Sequence, residues 1–83
     1  MTPAIVALIN VERSRQKAKW GGPHEWGEGD CSSPLVAPIV KAAVLAEECG
    51  EVSRAVLDND SDQLRRELVQ VAAVAVAWLE ALS

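Results

Sequence analysis

Residues 47–82 read EECGEVSRAVLDNDSDQLRRELVQVAAVAVAWLEAL. This stretch predicts two helices joined by a short turn. The turn is Asp58-Asn59-Asp60-Ser61, and Asp60 with Gln63 forms a capping box in the relaxed D-x-x-Q form. The helix after it runs from about Asp62 to Leu82. From Leu68 to Leu79 every side of it is apolar except at Gln70. A helix apolar all round requires cover all round. Two neighbouring helices in a chain of 83 residues cannot supply that cover. A second copy of the chain is therefore expected to complete it. The fold class read here is all-α, a helical bundle completed by oligomerisation, with dimer and tetramer equally open.

The helix before the turn ends near Leu57. Its start lies at about residue 34, where Ser33 precedes Pro34, or slightly later with Pro38 in the first turn. Val44, Leu45, Cys49, Val52, Val56 and Leu57 make its apolar side. Gly50 sits inside it at about 1 kcal/mol relative to alanine, either for close approach of a helix or ligand or for no structural reason.

An earlier helix runs from about Pro3 to Lys19, with Thr2 as N-cap and Pro3 at the first helical position. Ile5, Leu8, Ile9 and Glu12 share one face of it. Between the first two helices, residues 20–33 read WGGPHEWGEGDCSS and hold four of the five glycines. They show no periodicity and read as a loop of about 14 residues, long enough to be functional. Two of the three tryptophans and the only histidine lie in it.

The length allows one domain, residues 1–83, and a domain this small buries only about 60% of its unfolded surface. Cys31 and Cys49 form neither a disulfide framework nor a zinc pattern, and a reducing, cytoplasmic setting is expected. The start of the chain lacks the layout of a signal peptide. The longest apolar run, Val71 to Leu79, is far short of the ~20 residues that span a membrane. The formal net charge of −4 argues against a nucleic-acid partner. The charge is uneven. Arg13, Arg15, Lys17 and Lys19 gather in residues 11–20 beside Glu12 alone, while Glu47, Glu48 and Glu51 and then Asp58, Asp60 and Asp62 lie later. A basic and an acidic segment in one small chain suit one polyanionic ligand bound partly through metal ions; composition alone favours the other reading, that both are ordinary solvated faces.

Glu48 and Glu51 are three residues apart, and Glu47 and Glu51 four, so both pairs share a helical face. Like charges at those spacings repel, and a divalent cation is one natural offset. Mg²⁺ takes hard oxygen ligands and keeps waters that phosphates can replace. The last helix adds Glu67 and Gln70, again three apart. Folded back through the short turn, Glu67 approaches the Glu48/Glu51 face. The competing structural readings are plain. The triplet can be a solvated surface paired with Arg54. Glu67 can be a first-turn acid favoured by the helix dipole. Gln70 can be a core amide with a backbone partner.

The arrangement E-E-x-x-E, a spacer, then E-x-x-D resembles the MazG-like, all-α nucleoside triphosphate pyrophosphatases. Glu47-Glu48-Cys49-Gly50-Glu51 matches the first half and Glu67-Leu68-Val69-Gln70 the second, with Gln70 where aspartate is usual. Arg15-Gln16-Lys17-Ala18-Lys19-Trp20-Gly21 is similar to the R-Q-x-x-K-W-G near the start of short phage and bacterial members. ELVQVAAVAVAWLEAL resembles their final helix. The resemblance implies a MazG-like bundle that cuts nucleoside triphosphates to monophosphate and pyrophosphate. By resemblance, Glu48, Glu51 and Glu67 bind Mg²⁺, for which Mn²⁺ can substitute, and Glu47 joins them or positions a water. Gln70 brings an oxygen ligand but no charge, which leaves the number of metals open. Glu47 or Glu48 is the expected base. Arg15 and Lys19 are expected on the phosphates, with Lys17 at another angle.

Trp20 and Trp26 are expected either to stack on the base or to plug the bundle end. His24 is either a surface residue of the loop or a contact to base or phosphate. Trp78 belongs to the core or an interface. A catalytically weak or inactive nucleotide-binding scaffold is the alternative. A di-iron carboxylate bundle is set aside, because it needs histidines within its helices. A purely structural oligomerisation module leaves the stacked acids and the loop tryptophans unexplained.

Overall fold

The computed structural model describes residues 1–83 and contains three helices and one small hairpin. Helix α1 spans Pro3–Trp20, α2 Pro38–Leu57 and α3 Ser61–Ala81. The chain is therefore mostly helical, as the sequence predicts. Between α1 and α2, where no regular structure is expected, strands β1 (Pro23–His24) and β2 (Gly27–Glu28) pair antiparallel, with His24 opposite Gly27. The period-2 signal of two-residue strands is too short to read in a sequence. The first residue of β2 has to be glycine: Gly27 has φ +139°, and an added Cβ would meet the Leu35 carbonyl oxygen.

Each helix start follows from a local signal. The Thr2 hydroxyl accepts from the Ile5 N–H at 3.3 Å, and the Asp60 carboxylate accepts from the Gln63 N–H at 3.0 Å. Helix α2 begins at Pro38, the later of the two proline starts. Ser33 is occupied elsewhere: its hydroxyl accepts from the Leu35 N–H and donates to the Glu28 carbonyl. Residues 34–37 stay outside the helix, and Ala37, held extended before proline, takes the N-cap position without a side-chain hydrogen bond.

The α2–α3 turn is tightly specified. The Asp60 N–H donates to the Ala55 carbonyl at 3.0 Å and the Asn59 N–H to the Val56 carbonyl at 3.1 Å. Asn59 adopts φ 56°. This is the Schellman arrangement, with asparagine at its left-handed position. The next residue, Asp60, caps α3, so the chain reverses with almost nothing between the two helices.

Helix α3 is the centre of the packing and touches both α2 and α1. Its Ala73, Val74 and Ala77 are buried, and with Ile9, Val36 and Ala55 they are the whole buried apolar set. No large side chain is fully buried. The expected apolar face of α1 is corrected in one respect. Only Ile9 goes inside, followed at helical spacing by Arg13 and Gln16, while Ile5 and Leu8 are about half exposed. Leu68 and Leu79 of α3, and Leu82 just after it, also stand in solvent. Nothing approaches Gly50 closely enough to require a glycine there. No helix is long and apolar enough to cross a membrane.

Candidate active site

The tight turn sets two acid-bearing helices antiparallel, and the register brings the sequence motif together. Carboxylate oxygens of Glu48, Glu51 and Glu67 lie within 4.8 Å of one another. Glu67 is buried, Glu48 half-buried and Glu51 exposed, so the cluster opens from the helix interface toward solvent. No lysine or arginine forms a salt bridge with any of the three. Arg54, which sequence spacing offers as a partner for Glu51, instead reaches Asp58 at 3.4 Å. The solvated ion-paired surface is therefore not what this triplet forms.

Amides hold Glu67 in place. Gln63 donates to its Oε1. The Gln70 amide nitrogen, in the orientation its neighbours require, donates to Glu67 Oε2 at 3.2 Å and to Glu48 Oε2 at 2.8 Å. Gln70 is therefore neither a core amide bonded to backbone nor a bystander, but a bridge between acids on two helices.

Unbalanced charge shows in the protonation of the acids. Burial, and then the charges of Glu51, Glu67 and Glu47, push Glu48 up to about 7. Glu51 is also raised, first by its hydrogen bond with Glu67, then by burial and by the charges of Glu67 and Glu47. Three clustered hard-oxygen donors without a cationic side chain match what Mg²⁺ or Mn²⁺ requires.

The cluster forms one wall of a cavity of about 780 Å³, large enough for a nucleotide. Glu47 and Gln70 join that wall. Arg15 and Lys19 of α1 line the cavity too, as do Trp20 and Trp26. Arg15 is held by Glu12, with Nε to Oε1 at 2.8 Å and Nη2 to Oε2 at 2.6 Å. The Lys19 ammonium sits 5.0 Å from the centre of the Trp20 ring. Trp20 and Trp26 are tilted against each other with centroids 6.1 Å apart. Both rings remain about 40% exposed, at 39% and 44%, so neither is sealed into a plug.

His24 is placed differently from the other expected contacts and does not line the cavity. Its ring stacks on Trp26 at 4.7 Å, nearly parallel at 8°, and its Nε2–H donates to the Trp20 carbonyl at 2.8 Å. It supports the tryptophans from behind.

Sequence reasoning missed how the loop is fastened. Arg13 counts as one more charge in a basic run, yet it is buried and donates from Nη1 to Asp30 Oδ2 at 2.8 Å and to Gln16 Oε1 at 3.1 Å. Asp30 also accepts from the Ser32 N–H. Burial opposes charge on Asp30, but the bonds from Ser32 and Arg13 outweigh it and hold its pKa below the ordinary value. Lys41 is buried as well. The available signal was only that Arg13 and Gln16 follow Ile9 at helical spacing; the partner of Arg13 lies 17 residues away, beyond any periodicity. Cys31, beside Asp30 on the cavity wall, is pushed up by burial and then by the Asp30 charge. Neither cysteine is in a disulfide.

An all-α hairpin with acids from E-E-x-x-E on one arm and E-x-x-Q on the other defines the class. The family model described as MazG nucleotide pyrophosphohydrolase domain matches residues 38–81, more than half of the chain, and the chain belongs to that family. The matched span is α2, the turn and α3, which carry every acid of the cluster. Neither curated proteins nor solved structures give a match.

Proposed function

We propose that this chain is a Mg²⁺-dependent pyrophosphohydrolase that cleaves NTPs or dNTPs between the α- and β-phosphates, yielding the monophosphate and pyrophosphate. The supporting observation is the cavity's polarity: three carboxylates without a cationic partner line it together with Arg15, Lys19 and two exposed tryptophans. Such a cavity complements a molecule with a polyphosphate at one end and a flat base at the other.

Glu48, Glu51 and Glu67 would hold the ion, with Gln70 beside them. When bound, a divalent ion supplies charge neutralisation of the phosphates and a more acidic coordinated water. Glu47 and Glu48 are the candidates to take the proton of the attacking water. Glu48 suits that task through its position, half-buried among acids that favour its protonation. Arg15 and Lys19 would meet phosphate oxygens; Arg15 is pre-oriented by its two bonds to Glu12. Trp20 and Trp26 would stack on the base, with His24 fixing the ring of Trp26. Mn²⁺ would substitute for Mg²⁺ on the same oxygen ligands.

The proposal includes a single domain, residues 1–83, acting as a homo-oligomer in the cytoplasm. Exposed Ile5 and Leu8 on α1, Leu68 and Leu79 on α3 and Leu82 just after it support assembly, since six buried apolar residues make a small core for this chain. Free Cys31 and Cys49 suit a reducing compartment. One observation favours a second reading, a nucleotide-binding scaffold of weak or no activity: the neutral Gln70 at the carboxylate cluster.

Pyrophosphate release from a panel of NTPs and dNTPs, with and without Mg²⁺, separates the two. Catalysis predicts metal-dependent release that Glu48→Ala abolishes. A folded protein that binds nucleotides but releases nothing from the panel would leave the scaffold reading standing.

A further inference from the structure

Gln70 makes two bonds that an aspartate in its place cannot make. Its amide nitrogen carries two hydrogens. With the amide assigned nitrogen-inward, as its surroundings of acceptors require, that nitrogen lies 2.8 Å from Glu48 Oε2 on α2 and 3.2 Å from Glu67 Oε2 on α3. Both donors are thereby used, and each goes to an oxygen that would otherwise be open to a cation. Glu67 is then engaged at both oxygens, since Oε1 accepts from Gln63. The region between Glu48, Glu67 and residue 70 presents the positive end of an amide dipole. In a motif with aspartate at this position, the same region presents a third acid.

Charge counting leads the same way. The three clustered carboxylates carry a formal charge of −3 when ionised. One divalent ion leaves −1, which the phosphate-facing arginine and lysine do not disturb. A second ion would leave +1 beside a neutral amide, and it would have to displace the Gln70 hydrogens from two carboxylates. Turning the amide to offer its oxygen breaks both bonds for one neutral ligand.

We infer that Gln70 limits this chain to one resident divalent ion, by bridging Glu48 and Glu67 through its amide nitrogen where the related motif supplies a further acid. This rests on the metal-binding reading of the site. Each bonded carboxylate oxygen keeps a second lone pair, so Glu48, Glu51 and Glu67 would still hold one ion among them. The phosphate charge that a second ion would have neutralised falls to Arg15 and Lys19. Gln70 is thus a positioning residue for the acids and the selector of metal number.

The test is the stoichiometry of Mn²⁺ alone on the intact protein, by titration calorimetry and by electron paramagnetic resonance, without nucleotide. The wild type binds one Mn²⁺ per chain and shows the spectrum of an isolated ion. Gln70→Asp binds two, and its spectrum shows the exchange coupling of neighbouring ions. Gln70→Glu, which keeps the side-chain length, carries the same expectation if Gln70→Asp does not fold by circular dichroism. Two ions on the wild type, or one ion on a folded acidic variant, overturns the inference while leaving the metal site intact. No Mn²⁺ bound by any of the proteins overturns the metal reading beneath it, a distinguishable result.

Discussion

Replacing Asp30 with asparagine tests whether the buried Arg13–Asp30 pair fastens the aromatic loop to the bundle. The two side chains are only 7% and 6% exposed. Asp30 uses one oxygen for Ser32 and the other for Arg13. Asparagine of the same shape cannot serve both. If its oxygen keeps Ser32, its NH₂ faces the Arg13 Nη1 donor; if it turns, Ser32 loses its acceptor. Arg13 has little else. Its Nε and Nη2 are buried without partners, and Glu80 lies 3.9 Å away and is half exposed.

Removing one partner of a buried pair costs about 3–5 kcal/mol, because the other charge stays behind uncompensated. At roughly 0.05–0.15 kcal/mol per residue a chain this size holds about 4–12 kcal/mol in total, so Asp30→Asn is expected to lower Tm by roughly 12 °C or more, at about 4–8 °C per kcal/mol. The assay is thermal unfolding by far-ultraviolet circular dichroism, with tryptophan fluorescence reporting on Trp20 and Trp26. The control is Arg13→Met alone and combined with Asp30→Asn. The double variant should be less damaged than the sum of the singles, with a coupling of about 0.5–3 kcal/mol. An Asp30→Asn protein within about 0.5 kcal/mol of wild type, the range of an ordinary surface change, refutes the anchoring argument. Strict additivity in the cycle refutes it as well.

Protonation of Glu48 predicts an unusual dependence of stability on pH. Its folded pKa is raised from 4.5 to about 7, so the stability it contributes is complete below about 4.5 and is lost as pH rises through about 7. In chelator, Tm is expected to fall between pH 6 and pH 8, and the Tm gain on adding Mg²⁺ to be larger at pH 8; a Mg²⁺ effect independent of pH would contradict this. Asp30 acts at the other end, because its lowered folded pKa gives stability that disappears only as pH drops below the ordinary aspartate range near ~3.9. Trp26→Ala should raise the KM for the preferred nucleotide by roughly 5–150-fold, the loss of about 1–3 kcal/mol of base stacking, with a smaller change in kcat. Steady-state kinetics decides it, and an unchanged KM removes Trp26 from the base-binding surface.

The parts of this protein legible in its sequence are those encoded within one or two helical turns. Thr2, Pro3 and Asp60 announce helix starts because a cap acts on an N–H only three residues away. The spacing of Glu48, Glu51, Glu67 and Gln70 is visible because a helix repeats every 3.6 residues. What was not legible depends on partners far apart in the chain. Arg13 reads as a surface charge until Asp30 arrives from the loop. Ile5 and Leu8 share a sequence face with Ile9 until the packing buries only the line of Ile9, Arg13 and Gln16 on α1. Pro34 and Pro38 are equally good helix starts locally; the bonds of the Ser33 hydroxyl, one of them to the hairpin residue Glu28, accompany the later one.

One long-range feature was nonetheless readable, and the reason lies in the turn. Asn59 is the pivot of an antiparallel helix pair, so residues equidistant from it face each other. Glu51 and Glu67 are each eight residues from Asn59, Glu48 and Gln70 each eleven, and Val44 and Val74 each fifteen. All six line the same cavity. The Schellman turn leaves no slack in which this register could slip, since the N–H groups of both Asn59 and Asp60 are tied to the last turn of α2 while the Asp60 carboxylate ties down the first turn of α3. An added residue in the turn would rotate Glu67 and Gln70 by about 100° relative to the acids of α2 and break up the cluster while leaving both helices able to form. The acid motif and the turn are therefore one device. The spacing within each helix selects which side chains share a face, and the turn selects which face meets which.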